Sequence, residues 1–131
     1  MNGIIVAALA FVVATFPLGY VWHLTVFKGR YEALEVYRKD IILLFGLGSM
    51  VIQGIAFGLI YVAVIAPMSG GWLVKATAYA ALGGFLSWSF TTVAVAAKNR
   101  MASVRDFFAI ETAFTAVQWI IVGLATALLV S

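Results

Sequence analysis

The sequence predicts an all-α fold, a four-helix transmembrane bundle with a short interfacial amphipathic helix between the first and second spans. Three observations carry this expectation. Hydrophobic residues make up 65% of the chain and charged residues 10%, which leaves too little polar surface to cover a soluble globule. The hydropathy is gathered in four apolar runs, each long enough to cross a hydrocarbon core of about 30 Å at the helical rise. Finally, seven of the eight basic residues, Lys28, Arg30, Arg38, Lys39, Lys98, Arg100 and Arg105, stand in the first and third connections. These connections must share one side in a four-span chain, and the positive-inside rule makes that side cytoplasmic. The 131 residues therefore read as one integral membrane domain of a bacterial inner (plasma) membrane, with both termini on the non-cytoplasmic side.

The first span is expected at about 3–24. A cleaved signal peptide would need a basic residue ahead of a shorter apolar core and a small-residue cleavage site, and this run has neither. Pro17 lies inside it, removes a backbone donor and predicts a kink. Residues 28–40 are polar, yet Tyr31, Leu34, Tyr37 and Ile41 recur at three- and four-residue spacing, with Glu35 placed to pair with Lys39. That pattern predicts the amphipathic helix on the membrane surface. Asp40 then stands where an N-cap belongs, ahead of a second span at about 41–66. Pro67 and the Ser69-Gly70-Gly71 turn end it. The third span is expected at about 72–97, with Lys75 able to snorkel toward headgroups. The fourth, about 107–130, follows a Ser103-Val104-Arg105-Asp106 capping pattern. Trp22, Tyr31, Tyr37 and Trp72 read as interface anchors.

Composition excludes several functions. The formal charge of +3 sits at the ends of apolar runs, where it encodes topology and forms no basic stripe for nucleic acid. Without cysteine the chain has no disulfide, thiolate nucleophile, iron–sulfur cluster or cysteine-ligated zinc. His23 is the only histidine, and a metal site needs several ligands, so neither a metal nor another cofactor is expected. Asp106 and Glu111 project roughly 140° apart around a helix axis and form no catalytic pair, so no catalytic residue is assigned and no enzyme is expected. His23 could approach Glu111 from the first span, but the sequence alone does not bring them together.

The informative residues are polar groups inside the spans, because an unpaired one in hydrocarbon is costly. Counting from the cytoplasmic ends at 1.5 Å per residue places Gln53 about twelve, Gln118 about eleven and Ser87 about ten residues deep. Glu111, Thr115 and Gln118 form a stripe on the fourth span; Gly84, Ser87 and Thr91 do so on the third, and Gly46, Ser49 and Gln53 on the second. Two readings follow. The stripes are interhelical glue, with Gly54-x-x-x-Gly58, Gly83 and Gly84 allowing close helix packing. Alternatively, Glu111, Gln118, Thr115, Gln53 and Ser87 line a small polar cavity for a ligand, ion or proton. Glu111 favours the cavity, unless it is wetted at the headgroups or paired with Arg105.

The chain resembles the small bacterial four-span membrane proteins of domain-of-unknown-function family 1761. The resemblance is carried by Gly19-Tyr20-Val21-Trp22 leading into a basic aromatic connection and by Gly83-Gly84-Phe85-Leu86-Ser87-Trp88 in the third span. A closing helix from Phe108-Ala109-Ile110-Glu111 through Val117-Gln118 to Ile121-Val122-Gly123 completes it. The chain departs from the family pattern at His23, where Tyr follows the Trp, and in a shorter, more charged first connection. The resemblance implies a compact membrane bundle and supplies no activity. The expectation from sequence is a non-enzymatic protein working through helix packing, as a homo-oligomer or an accessory subunit of a membrane complex, with membrane lipids as its surroundings. The alternative is a small carrier or sensor with its site in the polar layer.

Overall fold

The computed structural model describes residues 2–130, and these contain helices and no strand. Helix α1 (Gly3–Val26) starts where the Asn2 side chain accepts the Ile4 N–H at 2.8 Å, an N-cap that satisfies one of the orphan donors of the first turn. It continues as helix through Pro17. Its last turn, Trp22–Val26, widens into a π-helical turn in which the Phe27 N–H donates to the Trp22 carbonyl at 3.1 Å.

Helix α2 is shorter than expected, running only over Lys28–Leu34. It ends because Glu35 turns into the left-handed region at φ +57°, and the chain is irregular from there to Ile42. Glu35 therefore makes no pair with Lys39; the i,i+4 pair is Lys28–Glu32 at 3.9 Å, between exposed side chains. Asp40 is not the cap of the next helix, whose N-cap position is Ile42. Its carboxylate instead accepts both a 3.0 Å and a 3.1 Å bond from the Arg38 guanidinium, and bidentate charge-assisted bonding outweighs what a single cap bond would supply. The same contact holds the Asp40 carboxyl below its usual range.

Helix α3 (Leu43–Ile65) ends in a second π-helical turn, Tyr61–Ile65. Lys75, near the start of α4 (Trp72–Lys98), donates to the Ala66 carbonyl at 2.8 Å and so caps the end of α3 across the short turn. A third π-helical turn, Ser89–Val93, interrupts α4. Helix α5 (Val104–Val130) starts at the expected cap, with Ser103 Oγ accepting the Asp106 N–H at 3.1 Å. The helices α1, α3, α4 and α5 are each long and apolar enough to cross a membrane, the pattern of a multi-pass membrane protein.

Helix α1 packs against α3 and α5, and α5 packs against α4, so the order around the bundle is α3, α1, α5, α4. The core of Phe11, Phe57, Tyr61, Ile65, Tyr79, Trp119 and Val122 draws on all four long helices. Glycine sets the closest approaches. A Cβ at Gly58 would lie 2.8 Å from the Ile4 carbonyl oxygen, and one at Gly54 would lie 3.0 Å from that of Ala8. The Gly54/Gly58 face is thus occupied by α1 of the same chain. Gly83 leaves room for the indole of Trp119, which a Cβ there would overlap, and Gly84 lies against the base of the same side chain.

At the other end of the molecule, Tyr31 and Leu34 of α2 pack on Phe107 and Ile110 of α5. The Ala102 N–H donates to the Leu34 carbonyl at 2.8 Å. The first and third connections therefore meet at one end of the bundle, while α3 and α4 approach each other chiefly at the opposite end, through the Tyr61–Ile65 turn.

Candidate functional site

Where α3 and α4 separate, the bundle holds a cleft of about 570 Å³. Its walls are mainly apolar, and each long helix contributes polar residues to it: Thr15 and His23 from α1, Ser49 and Gln53 from α3, Ser87 and Thr91 from α4, Glu111 and Gln118 from α5. Exposed Phe90 and Ser49 stand along its margin, so it opens sideways between α3 and α4.

Glu111 is the centre of this site. It lies on the buried stripe of α5 and keeps only 4% of its surface exposed. Two groups converge on its Oε1: the Tyr31 hydroxyl donates at 2.5 Å and His23 Nε2 lies at 2.9 Å. Trp22 Nε1 donates in turn to the Tyr31 hydroxyl at 3.0 Å, and His23 Nδ1 lies 3.0 Å from the Gly19 carbonyl. Consecutive residues of a regular helix point about 100° apart; here both Trp22 and His23 belong to the π-helical turn, a feature often found at functional sites, and both reach this network. The imidazole is packed by Tyr31 at 4.5 Å, Phe114 at 4.6 Å and Tyr37 at 5.8 Å between ring centres.

The donor pattern fixes part of the protonation. A backbone carbonyl only accepts, so Nδ1 of His23 carries a hydrogen. The Nε2···Oε1 contact then holds one further proton, on the imidazole or on the carboxyl. Tyr31 stays a neutral donor: burial, followed by the hydrogen bond to Glu111, pushes its phenol far above the usual tyrosine value. Burial of its hydroxyl end, followed by the charge of Glu111, does the same to Tyr37, although 40% of that residue as a whole is exposed.

Of the residues expected at a polar layer, Glu111, Gln118, Gln53 and Ser87 all line the cleft. Gln118 is buried and donates to Thr15 Oγ1 at 3.1 Å. Thr115 differs: it is buried, but lines a separate shallow groove between α4 and α5 together with Gly84, Trp88 and Trp119. A residue four positions from Glu111 and three from Gln118 sits about 40–60° around the axis from each, enough to carry it past the edge of the cleft. Of the residues expected as interface anchors, Trp22 and Tyr31 spend their polar atoms on each other and on Glu111, while Tyr37 and Trp72 are exposed. Glu111 pairs with His23 and Tyr31, and not with Arg105.

Sequence reasoning missed Thr15 and the role of Tyr31 at Glu111, and raised the approach of His23 to Glu111 without being able to decide it. The available signal was depth, since His23 lies three residues before the end of α1 and Glu111 seven after the start of α5, at one end of the bundle. Among the described residues no group of three or more His, Asp or Glu side chains converges as a metal site requires. Compared with protein-family models, curated proteins and solved structures, the chain matches none.

Proposed function

We infer that this protein is a small membrane carrier or sensor that binds an amphipathic molecule, drawn sideways from the lipid, in the cleft between α3 and α4. The observation that carries this reading is the buried Glu111, held by His23 and Tyr31 on the wall of a cleft of about 570 Å³, a size typical of small-molecule sites. A carboxyl group this far from water is expensive and is a functional candidate by default. The apolar walls suit a hydrophobic body, while Gln53 and Ser87, for which no side-chain partner competes, offer hydrogen bonds at mid-depth.

Orientation belongs to the same proposal: the basic connections face the cytoplasm of a bacterial inner membrane and both termini face away from it, as the charge distribution supports. So does membership of family 1761, which rests on the resemblance alone. A second reading, association with another copy or a membrane subunit, is favoured by the groove lined by Ala80, Ala81, Gly84 and Ala116, where small residues would admit a further helix. In neither reading is the protein an enzyme.

Purification in a mild, uncharged detergent followed by intact-complex mass spectrometry tests the first reading. A small molecule carried by the wild type and lost from Glu111→Gln and Gln118→Leu is the expected result. Wild type and variants that carry nothing, or the same molecule equally, would reject it.

A further inference from the structure

Among the described residues, His23 and Glu111 meet at the wall of the cleft with no third charged side chain bonded to them. From α1 comes His23; from α2 and the chain after it come the neutral phenols of Tyr31 and Tyr37. Arg38 at the rim is held by Asp40 through two bonds. Nothing that α3 or α4 contributes to the lining titrates. Because the Gly19 carbonyl keeps a hydrogen on Nδ1, the pair shares one proton, and its net charge is zero wherever that proton sits.

We propose that the cleft takes up a hydrophobic organic cation in exchange for the proton shared by His23 and Glu111. This rests on the cleft being a binding site. A cation entering beside a neutral pair leaves one positive charge uncompensated in a low-dielectric site, which is strongly disfavoured. Loss of the shared proton to water removes that charge: His23 is left neutral with its hydrogen on Nδ1, the Nε2–Oε1 hydrogen bond is given up, Glu111 is left a carboxylate facing the cation, and the net charge is zero before and after. Tyr31 still donates to that carboxylate. Phe16, Tyr20, Tyr37, Phe90 and Phe114 line the cleft, and aromatic rings attract cations at their faces. An anion of the same shape gains nothing from these faces and meets the carboxyl oxygens.

Tetraphenylphosphonium and tetraphenylborate, which share a shape and differ in sign, test this with purified protein in an uncharged detergent. Binding is followed by calorimetry, and proton release by a pH indicator in weak buffer. The phosphonium should bind at least tenfold tighter than the borate and release about one proton per cation. Its affinity should rise about tenfold per pH unit over the range in which the pair keeps its proton, and Glu111→Gln should abolish the release. Equal binding of the two probes, or cation binding without proton release, overturns the proposal, and both readouts use the wild type, so neither depends on the variant folding. If neither probe binds while a co-purified molecule is still lost from Glu111→Gln, cation exchange is overturned and the cleft as a binding site stands. If nothing binds at all, both fall.

Discussion

Removing the Tyr31 hydroxyl isolates what Glu111 gains from its partners. The hydroxyl accepts from Trp22 Nε1 and donates to Glu111 Oε1, so Tyr31→Phe leaves the part-buried Trp22 donor without a partner and Glu111 Oε1 with His23 alone. The cost is about 1–3 kcal/mol, and thermal unfolding in detergent should show a lower midpoint than wild type. The phenols also set a pH limit. Burial and the carboxyl group of Glu111 raise the folded values of Tyr31 and Tyr37 above the ordinary value near 10. Below that value both are protonated whether folded or unfolded, and their contribution to stability is fully present. Above it the unfolded chain loses these protons while the folded chain keeps them, so stability falls as pH rises. Unfolding midpoints should therefore decline above pH about 10, and the decline should be shallower in Tyr37→Phe. Sequence position alone exposed Glu111, Gln118, Gln53 and Ser87, because depth along a span is counted from one helix. It could not expose the Tyr31 and His23 contacts, 80 and 88 residues away along the chain, because these depend on the rotation of one helix against another.

Close helix contact gives the element scale its sharpest test. A Cβ at Gly58 meets the Ile4 carbonyl oxygen at 2.8 Å, and backbone cannot swing aside as a side chain can. Gly58→Ala should separate α1 from α3 and cost about 1–3 kcal/mol. Gly48, on the same helix, has nothing within 4 Å of an added Cβ. There Gly48→Ala should leave stability unchanged or raise it by about 0.5–1 kcal/mol through helix propensity. Matched thermal unfolding of the two variants separates packing from propensity, and equal midpoints would contradict the α1–α3 contact. The four long helices were legible because apolar length is a local property: the expected 72–97 is observed as Trp72–Lys98. The interfacial helix was only half legible. Its spacing of Tyr31 and Leu34 is real, but those side chains turn inward onto Phe107 and Ile110, and the left-handed Glu35 stops the helix where periodicity alone would have continued it. The π-helical turns leave no pattern that apolar periodicity detects.

For the whole molecule, the hydrogen bond from Ala102 to Leu34 joins the two basic connections at one end, so a single side of the membrane receives seven of the eight basic residues. The part of the cleft lined by His23, Tyr37, Arg38 and Glu111 lies at that end. Which compartment the site faces therefore depends on the orientation of the entire bundle. The chain contains no cysteine, so single cysteines report without background. Ser69 and Asn99 are both exposed, in the second and third connections respectively, at opposite ends of the bundle. In sealed right-side-out vesicles, a membrane-impermeant maleimide should label Ser69→Cys and leave Asn99→Cys unlabelled until the vesicles are opened. The reverse pattern would put the Glu111 end of the cleft on the outer face, against the positive-inside rule. A proton leaving the His23–Glu111 pair would then be released outward. Labelling of both positions in sealed vesicles would mean a mixed orientation, which a charge excess concentrated this completely at one end should prevent.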